Sequence, residues 1–450
     1  MLIRFVTKNI FSFKEETEFN LFPNKTERLS HHKVTQNSID FLRLSAIYGA
    51  NGSGKSNLVK SISLLESLVQ EGKLRDDLDN FKFKLSDDNA DMPISLGIEF
   101  YAKSKIYYYA ITFDKGIIMN EYLAESKKDT DTLIFDRTIE NNIQSIRFFN
   151  GYTDDVKNKL FVEVLAEKLL QKDELLLSFL NSKYSDEFID AKTVFEWFDT
   201  TLVIVEPDAK PEGIAHILDI NSGLSLFANS LIPLLNTGIN KIFVEKEKIE
   251  DLTNQGDVKN LFARIKKQPN SPLVLSNKET GEEITVVNEN GDVFIKKLIT
   301  THINDKGKDV AFSIGMESDG TKRLIDYIPA LNGIINEERV YIIDEIERSI
   351  HPIAIKKIIS KISLDTSAKG QLIFTTHESC LLDQDILRPD EIWFAQKDID
   401  GASRLYSLSD FKIHNTANIE NGYLNGRFGG IPFLSNLQDL NWHKYHEIFE

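Results

Sequence analysis

Between Tyr48 and Asn57 the chain reads Gly-Ala-Asn-Gly-Ser-Gly-Lys-Ser, in which Gly49, Gly54, Lys55 and Ser56 fill the pattern G-x-x-x-x-G-K-S. The apolar stretch Phe41–Tyr48 before it reads as a buried strand, and Asn57–Ile62 after it has helical spacing. A strand, a glycine-rich loop and a helix in that order constrain the chain to an α/β fold. Gly49, Gly52 and Gly54 permit positive φ and close approach of the backbone to an anion, so successive N–H groups and the helix start can face phosphate oxygens. The segment therefore reads as a phosphate loop for a nucleoside triphosphate, ATP by expectation. Gly49, Asn51, Gly52, Ser53, Gly54, Lys55, Ser56 and Asn57 would form the cradle, with Lys55 reaching the β- and γ-phosphates and Ser56 binding Mg2+.

A chain of 450 residues has ample length for one large domain with an insertion, or for two to three ordinary ones. Its net charge of −16 argues against coating nucleic acid through a global positive field, so any such contact must be local or come from a partner. The single cysteine, Cys380, excludes an intramolecular disulfide and a multi-cysteine metal site. The start of the chain lacks the apolar segment of a signal peptide, and no run of about 18 apolar residues occurs. These features predict a soluble cytoplasmic protein without membrane spans.

Leu2–Val6 and Glu16–Leu21 read as early strands, and Ile94–Phe100 with Ile106–Phe113 as an antiparallel hairpin. From about 155 to 267 the pattern is largely helical, interrupted by a strand at Thr201–Val205. The charge run Glu245–Glu250 reads as a solvated helix face. Strand signals return at Glu283–Val287, Asp292–Ile295 and Leu298–His302.

Three further stations lie downstream. Val340–Ile343 is an apolar strand that ends in Asp344 and Glu345, placing two carboxylates where ligands sit in open α/β sheets. Asp344 would hold the metal, and Glu345 would polarise the attacking water as general base. Gln371–Thr376 is a second apolar strand, ending at His377, whose imidazole could sense the γ-phosphate. Ser318, Gly320 and Thr321 open a helix that should stop near Pro329, a second phosphate-binding helix start.

A phosphate loop, a small-residue helix start, a strand ending Asp-Glu and a strand ending in histidine, in that order, resemble the ATP-binding-cassette ATPases. The resemblance implies a phosphate-loop ATPase head with a mixed central sheet, an antiparallel β subdomain and a helical insertion. Ser318–Thr321 would be the signature and His377 the switch histidine. The long interval between Ser56 and Ser318 resembles the SMC and RecF-like branch, in which an insertion splits the head. The implied division is 1–150 for the N-terminal half of the head, 151–280 for a mainly helical insertion and 281–450 for the C-terminal half. Two departures stand out: Asp319 occupies a glycine position of the usual signature, and His351 lies where cassette ATPases often carry aspartate.

The segments Asn9–Phe13, Asp344–Glu347 with His351-Pro352, and Tyr423–Pro432 resemble a bacterial group of stand-alone AAA-type abortive-infection ATPases. That resemblance implies a nucleotide-clamped homodimer or higher homo-oligomer, catalysis by Glu345 and His377, and a role in anti-phage defence with a separately encoded effector, a nuclease by expectation. The rival reading is a DNA-repair or chromosome-handling ATPase that binds DNA directly. It predicts a basic surface or sustained coiled-coil heptads, neither of which the sequence carries. The Gly426–Gly430 segment reads equally well as a partner-docking tail or as a tail packed on its own head.

Overall fold

The computed structural model describes residues 1–128, 130–211, 213–248, 272–276, 283–412 and 417–431. The chain divides into two compact units, Met1–Thr201 with Ile373–Glu450, and Leu202–Leu372.

The first unit begins with β1 (Leu2–Lys8), β2 (Thr17–Asn20), β3 (Lys33–Gln36), β4 (Ile39–Leu42) and β5 (Leu44–Tyr48). The phosphate-loop helix Lys55–Glu71 follows, then β6 (Ile94–Ala102), β7 (Lys105–Asp114), β8 (Ile117–Glu125), β9 (Thr132–Glu140) and β10 (Ile143–Phe148). Seven of these strands form one antiparallel sheet in the order β10-β9-β8-β7-β6-β1-β2, with the expected β6–β7 hairpin pairing Ile94 to Phe113 and Ala102 to Lys105. In β7 the side chains of Tyr107, Tyr109, Ile111 and Phe113 are buried alternately, the period of two that a half-buried strand requires. The phosphate-loop helix buries Leu58, Ile62, Leu65 and Val69, spaced three and four apart on one face. Helices Leu176–Tyr184 and Ile189–Glu196 continue this unit.

The second unit pairs β11 (Leu202–Val205) in parallel with a later strand, β17, at Val340–Ile343. Between them, β12 (Ile239–Lys248), β13 (Leu273–Ser276), β14 (Glu283–Glu289), β15 (Asp292–Ile303) and β16 (Asp309–Ser313) form a separate antiparallel sheet. Helices Ile214–Ile220, Ser222–Leu231, Asp319–Asp326, Ile328–Asn336 and Pro352–Ser363 complete it.

Three expectations are corrected here. Glu245–Lys248 belong to strand β12 rather than a helix face, because β15 satisfies their backbone and Lys246 and Lys248 find carboxylates at Glu289 on β14 and Asp292 on β15; residues 249 and 250 lie outside the described residues. The strands expected at 292–295 and 298–302 are one continuous strand, β15. The signature helix ends at Asp326, and Pro329 falls in the first turn of the next helix, where its missing N–H costs nothing.

The chain re-enters the first unit within β18 (Gln371–Thr376), then forms β19 (Ile392–Lys397) and β20 (Ser403–Ser407). In the first unit the order is β18-β5-β19-β20, with β5 parallel to β19 and β19 antiparallel to β20. The sheet is therefore mixed and brings the C-terminal end of β5 beside chain segments more than 300 residues away. Among the described residues no single helix is long and apolar enough to cross a membrane.

Candidate phosphate-binding site

Buried strand β5 ends at Tyr48, and the loop then turns through Gly49, Gly52 and Gly54, the last two with φ of 73° and 113°. A side chain at Gly49 would run into the Ala395 carbonyl, and one at Gly54 into the Ser403 hydroxyl, so the loop is held by β19 and β20 at the two points where only glycine fits. Gly54 precedes the 17-residue helix that starts at Lys55.

The Lys55 side chain is 5% exposed, and its ammonium donates to Gly49 O (2.7 Å) and Ala50 O (3.3 Å). It lies 3.0 Å from His377 Nε2. Two residues that pattern reasoning treated separately thus meet in the first unit. The Ser53 hydroxyl is buried in the loop without a hydrogen-bond partner among the described residues, an orphaned donor of the kind a phosphate oxygen would satisfy. Asn51 and Gly52 are exposed at the tip of the loop, and Ser56 and Asn57 are half-buried on the first turn of the helix.

A hydroxyl relay, missed in the sequence, fixes the far side of the loop. Ser403 Oγ lies 2.7 Å from Ser53 O and 2.7 Å from Ser12 Oγ, and Asn57 Nδ2 donates to Ser12 Oγ at 2.8 Å. Ser403 Oγ is the donor toward both Ser53 O and Ser12 Oγ, which its single proton can serve one at a time, and Ser12 Oγ also accepts from Asn57. Ser12 is presented by a turn in which Asn9 and Phe11 adopt left-handed φ of 54° and 50°. Asn9 anchors that turn by donating to Asn89 O and Met92 O at 2.9 and 2.7 Å. The Asn9–Phe13 string carried the only available signal for Ser12, and none marked Ser403.

The Gly426–Gly430 segment packs on its own unit: Phe428 stacks on Phe394 with ring centroids 6.1 Å apart, and Tyr423 Oη donates to Gly430 O. Tyr423 in turn meets Tyr48, the residue just before the loop, at 5.9 Å.

In the second unit every residue of β17 is buried, and Asp344 at its tip is 3% exposed with its amide donating to Val205 O. Glu345 is half-buried and takes a left-handed φ of 51°. Arg348 bridges Asp208 at 2.6 Å and approaches Glu345 at 3.9 Å. His351 caps the helix Pro352–Ser363, its Nδ1 accepting from Ile353 N at 3.2 Å. Ser318 caps the signature helix, with Oγ accepting from Thr321 N at 3.2 Å and lying 2.8 Å from Thr321 Oγ1. Gly320 sits against the Ser349 carbonyl, leaving no room for a side chain. The Asp319 side chain is 90% exposed, 3.9 Å from the Lys322 ammonium. Behind Ser318, Glu317 Oε1 is held by Thr300 Oγ1 (2.5 Å) and His302 Nε2 (2.8 Å). Lys55 and His377 thus belong to one unit, and Asp344, Glu345 and the signature residues to the other.

A family model described as "AAA domain, putative AbiEii toxin, Type IV TA system" matches residues 44–383. Among solved structures the chain is similar to an SMC head bound to the C-terminal winged-helix domain of ScpA, at 13% identity over 90% of this chain and 97% of that one, with a TM-score of 0.43. It is also similar to the SMC head domain from Thermotoga maritima, at 13% identity over 92% and 99% of the two chains, with a TM-score of 0.38. No curated protein matches the sequence.

Proposed function

The chain belongs to the AAA-domain family described as putative AbiEii toxins of a type IV toxin–antitoxin system, and from that premise we propose that it binds and hydrolyses ATP. The observation that carries this reading is the buried Lys55 ammonium. It is turned onto the carbonyls of its own loop and onto His377, beside the orphaned Ser53 hydroxyl. A buried ammonium in a glycine cradle, beside a buried hydroxyl open for a hydrogen bond, is the donor set that phosphate oxygens take. When ATP enters, Lys55 exchanges those carbonyls for phosphate oxygens, the loop amides and Ser53 donate to them, and His377 follows the γ-phosphate through its contact with Lys55.

The hard oxygen donors Ser56 and Asp344 suit Mg2+ and would hold it. The ion supplies charge neutralisation at the phosphates. Glu345 orients and deprotonates the attacking water, and Ser318, Gly320 and Thr321 offer a helix start to the phosphates bound by a second copy of the chain. ATP would thus act as the clamp of a homodimer, opened by hydrolysis. At the level of the cell, we place this ATPase in the cytoplasm as the sensor of an anti-phage defence module that controls a separately encoded effector.

Equilibrium binding of a fluorescent ATP analogue, phosphate release and light scattering test the reading together. Lys55→Ala is expected to lose binding at least a hundredfold. Glu345→Gln is expected to keep binding, lose turnover at least a hundredfold and accumulate as an ATP-bound dimer. Wild-type turnover in Glu345→Gln would sink the assignment of the base, and unchanged ATP binding in Lys55→Ala would sink the ATPase reading itself. Co-purification with the products of neighbouring genes tests the effector.

A further inference from the structure

A groove of about 710 Å³ in the first unit lies between β2 and β20, and shares with the phosphate loop only Ser403, whose hydroxyl donates to Ser53 O. Six carboxylates line it, from Glu15, Glu16, Glu18, Asp398, Asp400 and Asp410, against two cations, Lys14 and Arg404. Both cations are already committed, Lys14 to Asp400 at 3.6 Å and Arg404 to Asp398, whereas Glu15 and Glu16 stand exposed in solvent. Trp393 also lines the groove. It is 7% exposed, and its indole N–H is buried without a hydrogen-bond partner among the described residues.

The backbone of β2 is the second part of the site. This strand is the last in its sheet, bonded to β1 on one side only. Leu21 N donates to Ile3 O at 2.9 Å, and the antiparallel register pairs Phe5 with Phe19 and Arg4 with Asn20. Alternation therefore turns the N–H and C=O groups of Phe19 and Thr17 toward β1, and those of Glu18 and Asn20 toward the groove. On β20 two of the three outward amides are already used: Ser403 N donates to Ser12 O, and Ser407 N to Asp410 Oδ2.

We propose that this groove binds an extended, lysine- and arginine-rich segment of a partner protein, which adds to the sheet as a strand on the open edge of β2. Backbone hydrogen bonds at Glu18 and Asn20 give the segment its register, and its alternate basic side chains meet the carboxylates that line the groove. Charge also argues against a second copy of this chain as the occupant, since each copy carries −16.

The test uses the full chain without nucleotide, so its outcome is independent of the ATPase reading. A fluorescein-labelled peptide, Lys-Val-Arg-Val-Lys-Val-Lys, is titrated by fluorescence anisotropy at about 50 and 300 mM salt, beside a version with proline at its central position. The expected result is micromolar binding that weakens at high salt and falls at least tenfold with the proline peptide. The exposed double substitution Glu15→Lys with Glu16→Lys should weaken binding at least tenfold. Glu18→Pro, which removes an outward amide and leaves the β1 ladder intact, should abolish it, while Glu18→Ala should lose less than a further factor of about five relative to wild type. Equal binding of the two peptides, or binding indifferent to the charge reversal, overturns the proposal. So does a wild-type chain that self-associates through this edge, seen in sedimentation as a dimer that the charge reversal dissolves.

Discussion

Two residues hold conformations that the rest of the chain must sustain. Glu345 lies in the left-handed region at φ 51°, which costs a non-glycine residue about 1–2 kcal/mol. Such strain is tolerated where it aims a side chain, and here it turns the chain sharply at the buried tip of β17. Glu345→Gly is accordingly expected to raise the unfolding free energy by about 1 kcal/mol while removing turnover. Thermal unfolding paired with phosphate release checks both halves, and a destabilised Glu345→Gly protein would show that the left-handed turn carries no strain. Ser403 is the counterpart in the first unit, its hydroxyl within donating distance of both Ser12 Oγ and Ser53 O. Ser403→Ala leaves that buried carbonyl without its donor and should cost about 1–2 kcal/mol. Because the relay shapes the phosphate loop, part of that loss should appear as an increase in the Kd for ATP, measured by calorimetry against wild type.

At the scale of elements, the antiparallel sheet depends on a polar cluster buried between strands and helix. Glu121 on β8 and Arg137 on β9 are both fully buried and 3.4 Å apart. Tyr109 Oη donates to Glu121, whose oxygens also accept from the amides of Leu176 and Leu177 at 2.7 and 2.9 Å. Burial pushes the Glu121 carboxyl above its ordinary range, while Arg137 and those amides pull against it. Glu121 thereby caps the open N-terminus of helix Leu176–Tyr184, tying the helical segment to the sheet. Arg137→Met strands a buried carboxylate and should cost about 3–5 kcal/mol in denaturant unfolding, whereas replacing Glu121 and Arg137 together by apolar residues should cost much less. None of this pairing was legible in the sequence, because a charged residue on a strand looks solvent-facing until its cross-strand partner is known. The same blindness turned Glu245–Lys248 into an expected helix, since their ion pairs come from distant chain. Local patterns read well by contrast: the β6–β7 hairpin, β17 and β18 announce themselves through runs of apolar or alternating residues. The phosphate loop was readable because its glycines meet a backbone constraint that is local. Ser403 was not, because it reaches the loop only through the pairing of β19 with β5.

For the molecule as a whole, an excess of carboxylates leaves its mark on stability against pH. Glu66 in the first unit and Asp326 in the second both have carboxyls displaced far upward. Burial, aided by the Asp199 carboxylate, pushes Glu66 on the phosphate-loop helix up to about 7, and burial pushes Asp326 on the signature helix up to about 6. Their ordinary values are 4.5 and 3.8, so within those windows the folded chain binds protons that the unfolded chain has released. Folding is then favoured by low pH, and stability falls as pH rises from about 4 through 7, with no further loss from these groups above their folded values. Glu66→Gln removes the larger window while keeping the shape of the side chain. The variant should match wild type near pH 4.5 and exceed it at pH 8, by on the order of 1–2 kcal/mol once solvent screening of a half-buried group is allowed for. Urea unfolding at the two pH values decides it. An equal gain at both would mean that Glu66 acts through packing rather than charge, and no gain at pH 8 would mean that its carboxylate is already well solvated when ionised. Asp326→Asn provides the parallel test in the second unit, with the window shifted down to lie between about 4 and 6.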